Sequence, residues 1–141
     1  MTALLEALGG KKAFRDDPSS VGEWVRRIQA GLPVASALAF KDALHLTQEE
    51  LGRLLGVSTR TVVRWGPGAK LDSVSGDRLV RSARLYSMAA EVLEDKSAAA
   101  QWLRAPQSAL GGSVPLELAA TDIGARAVES LLGRMEHGVY T

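Results

Sequence analysis

The side chains best suited to chemistry cluster mid-chain: Thr59, Arg60, Val63 and Arg64, preceded by Ser58 and, further upstream, by Gln48. An arginine fork fits the acceptor edge of guanine or a phosphate, and a threonine fits a base edge or a thymine methyl. Val63 reads either as a thymine-methyl contact or as core. Gln48 opens a helix, where its side chain and backbone N–H suit a phosphate. The chemistry on offer is recognition of nucleic acid, with no bond made or broken.

Catalysis has little to work with. There is no cysteine, which excludes disulfides, thiolate metal sites and cysteine nucleophiles and fits a reducing cytoplasm. His45 and His137 lie far apart, and neither stands at ligand spacing from another donor, so no metal is expected. His45 reads as a surface or cap residue, and Asp16-Asp17 as solvated loop. No phosphate-binding glycine loop and no nucleophile elbow occur. No cofactor and no enzymatic activity are expected.

These residues need a scaffold, and the pattern for one surrounds them. Thr47 and Glu50 make a T-x-x-E capping box before an apolar-periodic run. Gly52 supplies the small residue that two steeply crossing helices need, and Gly56 the turn. Ser58 or Thr59 starts a second helix that ends at Trp65, before Gly66-Pro67-Gly68. Leu51, Leu55, Val57, Val62 and Trp65 fall where the two helices bury each other, which leaves Thr59, Arg60, Val63 and Arg64 outside. Together these features predict a helix-turn-helix. A plain helical hairpin with a glycine turn is the blander reading.

Elsewhere the periodicity is also helical. Leu4, Leu5 and Leu8 form a short stripe stopped at Gly9-Gly10. Ser19 or Ser20 caps a helix to about Ala30 with Trp24, Val25 and Ile28 inward, and Pro33 stands in the first turn of the next, to about Leu44. Residues 11–18 read as loop. Ser75 is expected to cap a long helix to Glu94 carrying the stripe Leu79, Ala83, Tyr86, Ala90 and Leu93. A short helix spans Ser97 to Leu103, then Gly111-Gly112 and Pro115 mark a connector. Thr121 or Asp122 caps a last helix to Glu136, with Ile123, Val128, Leu131, Leu132 and Met135 inward. Trp24, Trp65 and Trp102 read as core anchors. No stretch alternates as a strand would, and no internal repeat is evident.

The chain has 141 residues, 46% of them hydrophobic and 23% charged, which suits a soluble globular protein. The all-α class follows, with expected divisions at 1–46, a helical region leading into the DNA-binding part; 47–74, the helix-turn-helix core; and 75–141, a C-terminal helical domain. Net charge is only +1, but residues 58–84 hold six basic residues against two acidic ones, a balance of +4. Residues 85–141 hold four basic against seven acidic, a balance of −3. A basic middle and an acidic end suggest two faces for two partners, or an uneven scatter of solvated charge. The N-terminal residues lack the basic start of a signal peptide, and the apolar stretch 33–40 is shorter than the roughly 20 residues that span a bilayer. A cytoplasmic location without membrane contact is expected.

From about Thr47 onward the chain resembles the Xre/ParS/MbcA-type antitoxins, partners of RES-domain toxins in bacterial toxin–antitoxin pairs. The resemblance is carried by Arg60-Thr-Val-Val-Arg-Trp, Ser75-Gly-Asp-Arg-Leu-Val-Arg and Ala99-Ala-Gln-Trp-Leu. It continues through Pro106-Gln-Ser-Ala-Leu-Gly-Gly-Ser-Val-Pro-Leu-Glu-Leu and Gly124-Ala-Arg-Ala-Val-Glu-Ser-Leu-Leu-Gly-Arg-Met-Glu-His-Gly-Val-Tyr. Residues 1–46 carry little of it. It implies that the helix-turn-helix binds the operator of its own operon, as a homodimer within a larger toxin–antitoxin complex. It also implies that the C-terminal domain occludes the active site of an NAD-consuming toxin. The residues it points to for the toxin are the helix end and tail: Arg134, Glu136, His137, Gly138, Val139 and Tyr140. On the residues alone, the last helix packs on its own domain and the tail frays. A stand-alone helix-turn-helix regulator with a C-terminal dimerisation domain is the competing reading.

Overall fold

A computed structural model describes residues 2–10, 18 and 20–138. Among these the fold is all helical, with isolated bridges at Pro33–Lys70 and Gln107–Ser113 but no strand. The helices are α1 (Thr2–Ala7), α2 (Val21–Ala30), α3 (Val34–Leu44), α4 (Gln48–Leu55), α5 (Thr59–Arg64), α6 (Ser73–Leu93), α7 (Lys96–Arg104), α8 (Pro115–Leu118) and α9 (Asp122–Glu136). The chain divides into two compact units, Met1–Val80 and Arg81–Thr141, with the cut inside α6.

In the first unit Leu4, Leu8, Trp24, Leu32, Phe40, Leu44, Leu51, Leu55 and Val62 build the core. Ser20 caps α2, its hydroxyl accepting the Glu23 N–H at 3.2 Å. Ser19 and residues 11–17 lie outside the described residues. Pro33 sits one place earlier than expected, at the cap of α3. It pairs there with Lys70, and the strap is held by Val34 N–H to Ala69 O at 2.9 Å and Leu71 N–H to Leu32 O at 2.7 Å. This strap returns the chain from α5 to the unit's core. Val25 does not turn inward: it is 45% exposed, on a helix whose buried residue is Trp24. His45 ends α3 in the left-handed conformation, exposed.

The second unit packs small residues. Ala83, Ala89, Ala99, Ala100, Ala119 and Ala125 are buried together with Leu85, Leu103, Val128, Leu131 and Leu132. Ala90 and Leu93 are only half-buried. Burial pushes the Tyr86 phenol above its ordinary value, against the opposing pull of the Lys96 charge. Asp95 caps α7, accepting the Ser97 N–H at 2.9 Å. Pro115 opens the one-turn helix α8 instead of lying in open connector. Arg81 is half-buried and donates to the Ala119 carbonyl at 3.1 Å. Arg84 pairs with Glu129 at 3.1 Å.

The sharpest constraint is the corner from α8 into α9. Thr121 caps α9, its hydroxyl accepting the Gly124 N–H at 3.0 Å. A Cβ at Gly124 would run into the Leu118 carbonyl, a backbone atom that cannot move aside. Ile123, expected inward, is 82% exposed. The corner turns α9 so that Gly124, Ala125, Val128, Leu131 and Leu132 face the core and their neighbour Ile123 faces out.

Gly124→Ala is therefore expected to destabilise this unit by roughly 2 kcal/mol or more. Gly133→Ala on the same helix, with open space around its Cβ, is expected to stabilise by about 0.5–1 kcal/mol. Urea unfolding followed by circular dichroism checks both; equal effects would refute the close approach.

Candidate functional site: the helix-turn-helix and the last helix

The first helix of the candidate DNA-reading unit is fixed by its capping box. The Thr47 hydroxyl accepts the Glu50 N–H at 3.0 Å, and the Glu50 carboxylate accepts the Thr47 N–H at 2.9 Å. Gly52 is buried under the turn, where a Cβ would stand 2.7 Å from the Val57 carbonyl. Gly56 takes φ 78°, the left-handed conformation that lets the chain reverse. Ser58 caps α5, accepting the Thr61 N–H at 3.1 Å. The Ser58 hydroxyl also lies 3.0 Å from that of Thr61, so its first task is to start the helix.

The two helices bury Leu51, Leu55 and Val62 against each other and leave Val57 and Trp65 half-covered. On α5, Val62 points in while Thr59, Arg60, Val63 and Arg64 point out. Val63 is 59% exposed, which removes the core reading for it. Neither Arg60 nor Arg64 pairs with a carboxylate among the described residues. No Asp or Glu occurs from Leu51 to Leu71, so no acid of that stretch offsets these cations. Gln48 is exposed in the first turn of α4, beside Glu49, whose carboxylate is taken by Arg53 at 3.1 Å.

Sequence reasoning missed what holds the far end of α4. The last carbonyls of a helix have no partner within it. Here α6 supplies donors: the Ser75 hydroxyl bonds the Leu55 carbonyl at 3.0 Å, and Arg78 bonds the Arg53 carbonyl at 3.1 Å. Ser75 is thus buried two places inside α6 instead of capping it. Asp72 does the capping, accepting the Ser75 N–H at 2.8 Å. The Arg78 guanidinium also roofs the turn, where a Cβ on Gly56 would come within 2.6 Å of it. A donor twenty residues away leaves no local signal.

The residues expected to meet a toxin are only partly placed. Val139 and Tyr140 lie outside the described residues. Arg134 is half-buried and His137 exposed, and helical spacing puts them on the outer face of α9; Glu136 is exposed on another flank. Gly138 follows with φ 73°. No group of three or more metal-ligating side chains occurs among the described residues, and none of their helices is long and apolar enough to cross a membrane.

Two family profiles divide the chain between them. The antitoxin Xre-like helix-turn-helix domain matches residues 23–84, and the C-terminal toxin-binding domain of the Xre/MbcA/ParS antitoxins matches residues 88–138. The antitoxin Xre of Photorhabdus laumondii is 31% identical over 127 residues, covering 88% of this chain and 86% of that one. The antitoxin Xre of Yersinia enterocolitica is 30% identical over 106 residues, covering 71% and 72%. The Prs ADP-ribosylating antitoxin of a Sphingobium species is 25% identical over 123 residues, covering 80% and 77%. Among solved structures, a chain of the M. tuberculosis MbcT–MbcA toxin–antitoxin complex is similar at a TM-score of 0.55 and 27% identity, covering 74% of this chain and 94% of that one. A helix-turn-helix unit followed by an antitoxin-type toxin-binding domain thus defines the class, and the chain belongs to the Xre/MbcA/ParS family of antitoxins.

Ser75→Ala is expected to cost about 1–2 kcal/mol by leaving the Leu55 carbonyl without its donor. Thermal unfolding measures the loss; an unchanged midpoint would show that α4 does not depend on α6.

Proposed function

We propose that this antitoxin restrains an NAD-consuming RES-domain toxin by occluding its active site, and that as a homodimer it binds its operator and represses its own operon in the cytoplasm. The observation that carries the DNA half is the outward set Thr59, Arg60, Val63 and Arg64 on a rigidly capped helix within an acid-free stretch. Arg60 and Arg64 read guanine edges or clamp phosphates, Thr59 and Val63 meet base edges and methyl groups, and Gln48 and Ser58 approach the backbone. One such unit reads one half-site, which is why two copies are required.

The toxin half is supported by the match of residues 88–138 to a toxin-binding domain and by the likeness to a chain from a toxin–antitoxin complex. Residues 134–140 would enter the toxin's NAD pocket. Occlusion needs no chemistry from this chain, which fits a protein that acts without a cofactor and is no enzyme.

Arg60→Ala and Arg64→Ala are each expected to weaken operator binding by about 1–3 kcal/mol while leaving toxin binding intact. Fluorescence anisotropy with operator DNA reads the first, and co-purification the second; normal operator binding by both variants would rule out α5 as the reading helix. Deleting residues 134–141 is expected to restore NAD consumption by the co-expressed toxin. Full inhibition by the shortened chain would remove the tail from the mechanism.

A further inference from the structure

We infer that the toxin docks along the outer face of α9, with Ile123 as its apolar anchor; the inference rests on the antitoxin reading and deepens it. Four residues of this 15-residue helix fall on one stripe, Ile123, Ala127, Ser130 and Arg134, and its C-cap His137 continues it. The stripe lies opposite the buried set Gly124, Ala125, Val128, Leu131 and Leu132; it is exposed at Ile123, Ala127 and Ser130, while Arg134 is half-buried with its Nε covered.

Ile123 is the most exposed large apolar side chain among the described residues. It is also stiffly held. Its branched Cβ restricts its rotamers, Thr121 caps the turn that carries it, and the next residue is wedged under the Leu118 carbonyl. An anchor fixed before binding loses little freedom on binding. One and two turns on, Ala127 and Ser130 are exposed and short, so a partner surface can approach the helix closely. The stripe then runs into half-buried Arg134 and exposed His137 at the end nearest the tail.

The occupant is the toxin, because the face is continuous with the helix end assigned to the toxin and lies wholly within the toxin-binding match at 88–138. The surface it fits is an apolar pocket for Ile123, a flat approach over Ala127 and Ser130, and hydrogen-bond acceptors facing Arg134. Arg126, paired with Asp122 at 2.8 Å, stands at the rim.

The test uses the full chain and a RES-domain toxin as the proposed partner, with affinity measured by calorimetry and inhibition by NAD consumption. Ile123→Asp is expected to weaken the complex about 100-fold and Ser130→Arg about 10-fold. Both side chains are exposed, and an acid is favoured in the first turn of a helix, so thermal unfolding and operator binding stay unchanged. Affinities within twofold of the unmodified chain for both variants would overturn the inference and leave the antitoxin reading standing. So would an Ile123→Asp chain that loses self-association but keeps its toxin affinity, since the face would then belong to a second copy. Failure of the unmodified chain to bind the toxin at all would overturn the antitoxin reading, and this inference with it.

Discussion

The first unit depends on how the end of α4 is satisfied. Eight residues make a short helix whose last carbonyls need donors from elsewhere. The Gly52 carbonyl takes the Val57 N–H at 2.9 Å as the chain turns, and Arg53 and Leu55 are served by Arg78 and Ser75 of α6. The turn is thereby closed from inside by backbone and from outside by side chains. The outward aim of α5 follows from that closure, because α5 starts directly beyond the turn.

The second unit solves a different problem with a similar economy. Alanines line much of its core, and hydrogen bonds from Arg81 and Arg84 fasten α6 to the end of α8 and to the middle of α9. Such packing leaves few large apolar groups to spare. Ile123 is the one large apolar side chain that this unit leaves exposed among the described residues. The first unit, by contrast, exposes several: Val21, Val25, Leu38, Val63 and Val74.

Much of this was legible in the sequence, because caps and turns are local. Thr47, Glu50, Gly52, Gly56 and Ser58 each act on atoms within a few residues, and each stands where the spacing put it. The outward set on α5 followed from the same spacing. What misled was burial judged from apolarity alone: Val25 and Ile123 fit a helical period, but a short helix has one buried face, and the neighbours choose which. Ser75 misled for a related reason. A serine near a helix start resembles a cap, and only the fold brings the Leu55 carbonyl within its reach. The blocks after Ser75 marked the toxin-binding domain through resemblance, while the outer face of α9 became visible only once its inner face was known.

The wedge of Gly124 beneath the Leu118 carbonyl reaches beyond stability. A corner that excludes even a methyl group makes its position a marker in the primary structure. Any chain that turns from α8 into α9 along this path must leave that position bare, six residues beyond the one whose carbonyl occupies the space. The residue just before it must then emerge on the far side of the helix. Diversity at that emergent position, against uniformity at its neighbour, is how a lineage could change the partner it recognises without redrawing its own architecture.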